Sequence, residues 1–144
     1  MDSYRESAAE DRSILIVGFN GYLMGLSARE GTILWEQRLE GWGTLEVLIH
    51  RASRVYVTNG HELVCLDYGT GVPLHRVKVP DSYKGRATTV IEGDRLYLAS
   101  GGEVTCFSLA CEPLWTQGFK GRGIGEVALG FRGNFRQADE RGSK

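Results

Sequence analysis

The sequence predicts an all-β protein built from the blades of a β-propeller. Three observations carry this. A pattern recurs about every forty residues, turn-forming residues separate short apolar runs, and no segment holds a 3.6-residue apolar period over ten residues. The first copy runs from Ile14 to Leu39, the second from Val55 to Val79 and the third from Leu96 to Phe119. Val17, Val57 and Leu98 correspond, as do Leu23, Leu63 and Val104, then Leu26, Leu66 and Phe107. Gly31 matches Gly71, and the third copy, one residue shorter there, offers Cys111. Leu34, Leu74 and Leu114 follow, and after them Trp35, His75 and Trp115.

Each copy reads as strands joined by tight turns. Ile14–Val17 and Val55–Val57 are β-branched and apolar, which favours a pleated strand. Phe19-Asn20-Gly21 and Thr58-Asn59-Gly60 supply residues that tolerate positive φ, as a hairpin needs. Leu23–Leu26 and Leu63–Leu66 form the next strand, and turns follow at Arg29-Glu30-Gly31 and Gly69-Thr70-Gly71. Leu34–Leu39 and Leu74–Val79 form the last. A further strand precedes the second and third copies, at Leu45–Ile49 and Thr88–Ile91. A complete copy thus holds four short antiparallel strands, the pattern of a propeller blade. The first copy lacks its first strand, because residues 1–12 are too polar to supply one.

Composition sets bounds. The chain has 144 residues, 42% of them hydrophobic and 24% charged, ordinary for one globular domain. Twenty glycines are about twice the usual share, and turn geometry accounts for the excess. A net charge of −1 points to neither nucleic acid nor an anionic membrane. No apolar run approaches a membrane span. The polar start MDSYRESAAEDR lacks the pattern of a secretory signal, so a cytoplasmic location is expected. Three cysteines, an odd number with no CxxC, fit a reducing compartment and argue against zinc. Cys65 and Cys106 fall at equivalent positions and read as small buried residues, while Cys111, in a turn, is the candidate for an exposed thiol.

The run Cys65-Leu66-Asp67-Tyr68-Gly69-Thr70-Gly71-Val72-Pro73-Leu74-His75, with its counterpart Gly25 to Trp35, resembles the PQQ-like repeat of the quinoprotein-dehydrogenase-like propellers. The resemblance spans residues 13–130. It implies that the residue ending the motif packs between neighbouring blades, a position held by Trp35, His75 and Trp115. His75 departs from the tryptophan, and Ser27 and Ser108 depart from the aspartate; these departures are expected to weaken individual docking contacts. Quinone-dependent members use adjacent cysteines over the cofactor, together with calcium and a catalytic aspartate. No adjacent cysteine pair exists here, so no cofactor, metal or catalytic residue is expected. Some relatives of this kind act as scaffolds, including an exported bacterial outer-membrane assembly lipoprotein.

Past Phe119, the segment Gly123–Gly130 aligns with Gly43–Ile49 at an offset of about eighty and reads as one more inner strand, near 126–130, of an unfinished blade. The expected organisation is a flexible arm at 1–12, three blades over 13–130 and a tail at 131–144. Three blades do not close a ring. An open half-ring leaves apolar faces and strand edges in water. The expectation is therefore a homodimer with six blades, closed head to tail with the 126–130 strand of each chain completing blade one of the other. A larger propeller formed with a different chain, or a piece of a longer gene product, are the rivals.

The candidate residues divide by place. Glu46, Thr88, Thr89 and Glu126 would line the central channel, with Glu46 and Glu126 taken as equivalent. Trp42, in the connection between the first two blades, and Arg51, Arg54, Arg86 and Arg122 are candidate contacts for a protein partner, since tryptophan and arginine are favoured at binding hot spots. The bland alternatives are a solvated face for the arginines and packing at the blade junction for Trp42. No Ser-His-Asp or paired-carboxylate grouping emerges from His50, His61 and His75. The reading is thus a non-enzymatic scaffold for protein–protein interaction. The alternative is a small-ligand or metal-ion binder, or a cryptic enzyme, using the channel.

Overall fold

The computed structural model describes residues 12–40, 45–50, 53–79, 87–123 and 125–136. Blade one is a three-stranded sheet, β1 (Ile14–Phe19), β2 (Tyr22–Ser27) and β3 (Ile33–Arg38), paired in that order. Blade two holds β4 (Glu46–His50), β5 (Arg54–Thr58), β6 (Glu62–Asp67) and β7 (Pro73–Lys78). Blade three holds β8 (Thr88–Glu92), β9 (Arg95–Ser100), β10 (Glu103–Ser108) and β11 (Pro113–Gln117). Every pair is antiparallel and sequential. The register shifts between Gly25 and Leu26, between Cys65 and Leu66, and between Cys106 and Phe107, one bulge at the same place in each blade. Among the described residues β1 is the open inner edge of blade one, where β4 and β8 stand in the other blades.

The turns follow the local chemistry. Asp67 Oδ2 accepts hydrogen bonds from the Gly69 and Thr70 amides and from the Thr70 hydroxyl. Ser27 Oγ accepts from the Glu30 amide, and Ser108 Oγ accepts from the Ala110 and Glu112 amides. The serines therefore perform the aspartate's task inside their own turn. Their effect falls on the turn and not, as the sequence suggested, on docking between blades.

Two apolar layers lie between the blades. Leu23, Trp35 and Leu39 of the first repeat pack with Val55, Val57, Val64, Leu66 and Tyr68, with Ile14, Ile16, Leu45 and Val47 at the margin. On the other face of blade two, Tyr56, Leu63, Cys65 and Val79 pack with Leu96, Leu98, Phe107 and Cys111. The period-2 alternation of each strand sends alternate residues to opposite faces, so a central blade is apolar on both. That is why β6 is buried from Glu62 to Leu66.

The C-terminal segment departs from expectation. The closing strand is short, β12 (Leu129–Phe131), and a further strand, β13 (Asn134–Arg136), stands where only a tail was foreseen. The two pair as a hairpin with Phe131 opposite Asn134, just as Glu92 pairs Arg95 across the β8–β9 turn. This hairpin is a two-stranded sheet of its own. It lies against β8, and Asn134 Nδ2 donates to the Ile91 carbonyl at 2.6 Å and to Glu92 Oε1 at 2.9 Å.

Candidate functional site

The features with a capacity for recognition are the blade junctions and the two faces where the series of blades stops. At the first junction Trp35 lies flat across its own sheet. The cross-strand row is Ile16, Gly25, Trp35, and a Cβ built on Gly25 would stand 2.5 Å from the indole Cε2. Only glycine in β2 lets the ring lie there. Beyond it the ring presses on Gly71 in the turn of blade two. Gly71 has φ +73°, and a Cβ there would overlap the indole. The Trp35 Nε1–H donates to the Tyr68 carbonyl at 3.0 Å. Tyr68 returns the contact: its hydroxyl donates to the Ile14 carbonyl at 2.6 Å and accepts from the Ile14 amide at 3.1 Å.

The second junction solves the same problem with different residues. Its row is Tyr56, Cys65, His75. Cys65 occupies the glycine position and denies a large ring its bed, so His75 is only half-buried. Tyr56 reaches across instead, and its hydroxyl donates to the Leu109 carbonyl at 2.6 Å. Leu109 is the repeat equivalent of Tyr68, so the bond made by an indole at one junction is made by a phenol at the next. Burial, then the nearby Cys65 thiol, push the Tyr56 phenol above its ordinary range, which keeps it a donor. Cys111 takes the place of Gly71 at φ +65° and is buried, not exposed as its turn position suggested.

The ends differ from the middle. Leu34, Leu74 and Leu114 are exposed in all three blades, so they mark the outer rim and not an open face. Leu15 is 56% exposed, whereas its equivalents Val55 and Leu96 are fully buried by the preceding blade. Phe19 is likewise exposed, whereas its equivalents Asn59 and Ser100 are buried. At the other end Trp115 is 45% exposed against 8% for Trp35. It leans on Tyr97, at 6.1 Å between ring centroids, and Tyr97 in turn meets Phe131 of the hairpin at 5.2 Å.

The channel candidates separate. Glu46 opens β4 and pairs Thr58, and Thr88 opens β8 and pairs Ala99. Glu46 is thus equivalent to Thr88, while Glu126 precedes β12 and lies outside any strand pairing. Thr88 and Thr89 are buried in β8. Thr89 Oγ1 and Glu126 Oε1 are buried without a hydrogen-bond partner. Arg54 is half-buried at the start of β5 and Arg122 is exposed, while Trp42, Arg51 and Arg86 lie outside the described residues.

Sequence reasoning passed over Glu62, which is buried and pairs with Arg76 while its Oε1 accepts from the Glu40 amide at 3.3 Å. Asn59, legible only as a turn residue, donates to the Glu40 carbonyl and accepts from the His61 and Glu62 amides. Together they anchor the end of blade one to blade two.

A family profile described as outer membrane protein assembly factor BamB matches residues 2–135. Among solved structures, BamB from Moraxella catarrhalis is similar with a TM-score of 0.60 and 19% identity, over 77% of this chain and 34% of that one. AztD from Citrobacter koseri is similar with a TM-score of 0.63 and 15% identity, over 80% of this chain and 34% of that one. The same protein in its apo form gives 0.62 and 15%, with the same coverage. These identities establish the propeller fold alone, and the chain spans about a third of the length of the structures it matches. No curated protein sequence matches it.

Proposed function

The chain belongs to the family described as outer membrane protein assembly factor BamB, and from that membership we propose that it is a non-enzymatic scaffold: a propeller sector that binds other protein through a ring completed by further blades. The observation that carries the proposal is the contrast between Leu15, 56% exposed, and the fully buried Val55 and Leu96 at the same position of the inner blades. Apolar side chains on a sheet face built to receive a blade gain about 25 cal/mol for each Å² removed from water. A second copy of this chain is the partner proposed. Two copies supply six blades and meet head to tail at both ends.

Closure of this kind draws on the short hairpin. β13 offers β12 only three residues to pair with, whereas β1 offers six. Exchange of β13 for the β1 strand of a second copy would supply the inner strand that blade one lacks. The proposal therefore includes release of β13 from β12 as the ring closes. Light scattering on the intact chain tests this: a mass twice the 15.9 kDa of one chain is expected, and the mass of one chain would refute closure by a second copy.

A second reading, a polar small molecule in the channel, is favoured by the unpartnered Thr89 Oγ1 and Glu126 Oε1. Among the described residues no three His, Cys, Asp or Glu side chains gather as a metal site. A thermal-shift series with calcium and quinones separates the readings. The scaffold reading expects no shift from either, and a saturable shift would favour the channel.

A further inference from the structure

We infer that Cys65 of blade two and Cys111 of blade three face each other as a thiol pair across their junction, and that a low-molecular-weight disulfide converts the pair into a covalent staple between the blades. The first junction defines the two places. A Cβ on Gly25 would stand 2.5 Å from the Trp35 indole, and a Cβ on Gly71 would overlap the same ring from the side of blade two. At the second junction the strand register puts Cys65 in the place of Gly25. The turn puts Cys111 in the place of Gly71, at φ +65° against +73°. Both glycines that clasp the ring are thus cysteines, and His75, at the place of the indole, is only half-buried. A disulfide needs Cβ atoms about 3.5–4.5 Å apart, and two positions that clasp one ring come near that reach once the indole is gone.

Strand alternation sorts the three thiols. Cys65 packs in the apolar layer between blades two and three, and its neighbour Leu66 packs in the layer between blades one and two. In blade three Phe107 belongs to the layer shared with blade two. Cys106 beside it is therefore turned to the opposite face, in the row with Tyr97 and Trp115. Cys111 lies in the shared layer with Cys65. Of the pairings that three cysteines allow, one alone brings two thiols into the same layer. The charges of these groups also reach one another. Burial, then the Cys65 and Cys111 thiols, raise the Tyr56 phenol, and the Cys65 thiol adds to the effect of burial on Cys111.

Leu63, Val79, Leu96, Leu98 and Phe107 surround the pair and disfavour a thiolate. The pair is therefore inert once sealed and closes while the blades dock. One cysteine thiolate attacks the small disulfide, forms a mixed disulfide and releases one small thiolate. The second cysteine thiolate attacks the protein sulfur of the mixed disulfide and expels the other. In sum two protein thiols lose two electrons and two protons, and one small disulfide becomes two small thiols. The uncharged product suits the apolar layer. It locks the second junction where an indole locks the first. A reducing compartment keeps the dithiol, and an oxidising one closes it.

The test refolds the full chain from urea in a mixture of oxidised and reduced glutathione. Remaining thiols are then alkylated in denaturant and the peptides mapped by mass spectrometry. The expected product is an intramolecular cross-link, lighter by two hydrogens, with Cys65 joined to Cys111 and Cys106 alkylated. Its urea midpoint should exceed that of the reduced chain by about 1–2 M. Cys106→Ser should keep the cross-link, and Cys111→Gly, which suits the positive φ, should abolish it without creating another. The map is read on the wild-type chain, so it stands whether or not a variant folds. Both cysteines belong to one chain, so the outcome is the same whether or not the ring closes. A chain that refolds with all three thiols free, or that pairs Cys106 as readily as Cys111, would overturn the pair. So would a cross-linked chain that unfolds at a lower urea midpoint than the reduced one.

Discussion

Gly25→Ala probes the docking of Trp35 with one methyl group. The added Cβ would stand 2.5 Å from Cε2 and Nε1 and 2.9 Å from Cζ2 of the indole. Carbon atoms rest at about 3.5–4.0 Å, so the ring must move by about 1 Å. That shift stretches its 3.0 Å bond to the Tyr68 carbonyl and lifts it from Gly71. Overpacking costs about 1–3 kcal/mol, and the lost hydrogen bond costs about 1 kcal/mol. Alanine in a strand regains about 0.5–1 kcal/mol over glycine through the unfolded chain. The net expectation is destabilisation by about 1–3.5 kcal/mol. In a Trp35→Ala background, itself about 3–5 kcal/mol less stable, nothing remains for the methyl group to strike. There Gly25→Ala should stabilise by about 0.5–1 kcal/mol. Urea unfolding followed by far-ultraviolet circular dichroism closes the cycle, with a coupling of about 3 kcal/mol expected. Equal effects of Gly25→Ala in both backgrounds would refute the account of the junction.

Other outcomes follow from the same geometry. Tyr56→Phe leaves the Leu109 carbonyl without its 2.6 Å donor and should cost about 1 kcal/mol in urea unfolding. Glu62→Gln keeps an acceptor for the Glu40 amide but breaks the pair with Arg76. Because Arg76 can turn to water, the loss should be about 1–2 kcal/mol, below that of a fully buried pair. Burial, then the nearby Cys65 thiol, push the Cys111 thiol from its ordinary 9.0 up to about 12. Its folded value lies above its unfolded one, so its contribution is complete below about pH 9 and is lost as pH rises through about 12. Unfolding free energy should thus decline over that window, and Cys111→Gly, which suits φ +65°, should flatten the decline. Iodoacetamide at neutral pH should label none of the three buried cysteines before unfolding.

The residues readable in advance were those whose role is set by their own strand. The apolar runs Val55–Val57 and Leu63–Leu66 and the Asn-Gly turns lie within a few residues of one another, and their recurrence revealed the blades. Trp35 was legible because the motif spacing holds it. Its bed was not, since Gly25 reads as an ordinary small residue until the ring is seen to cross it. The exchange of a tryptophan bond for a tyrosine bond at the second junction was hidden for a similar reason. Tyr56 is 53 residues from Leu109, and no local pattern reports so distant a contact. β13 escaped notice because Asn134–Arg136 is short and polar, and its place is secured by Asn134 bonding to β8.

Amide hydrogen exchange at the inner edge of blade one tests ring closure most directly. In β1 the Ser13 carbonyl bonds the Ala28 amide, so by alternation Ile16 and Gly18 direct their amides away from β2. These amides should exchange quickly in dilute solution and become protected as concentration rises and a partner strand arrives. Exchange at Ile16 and Gly18 that stays fast at every concentration would contradict the account.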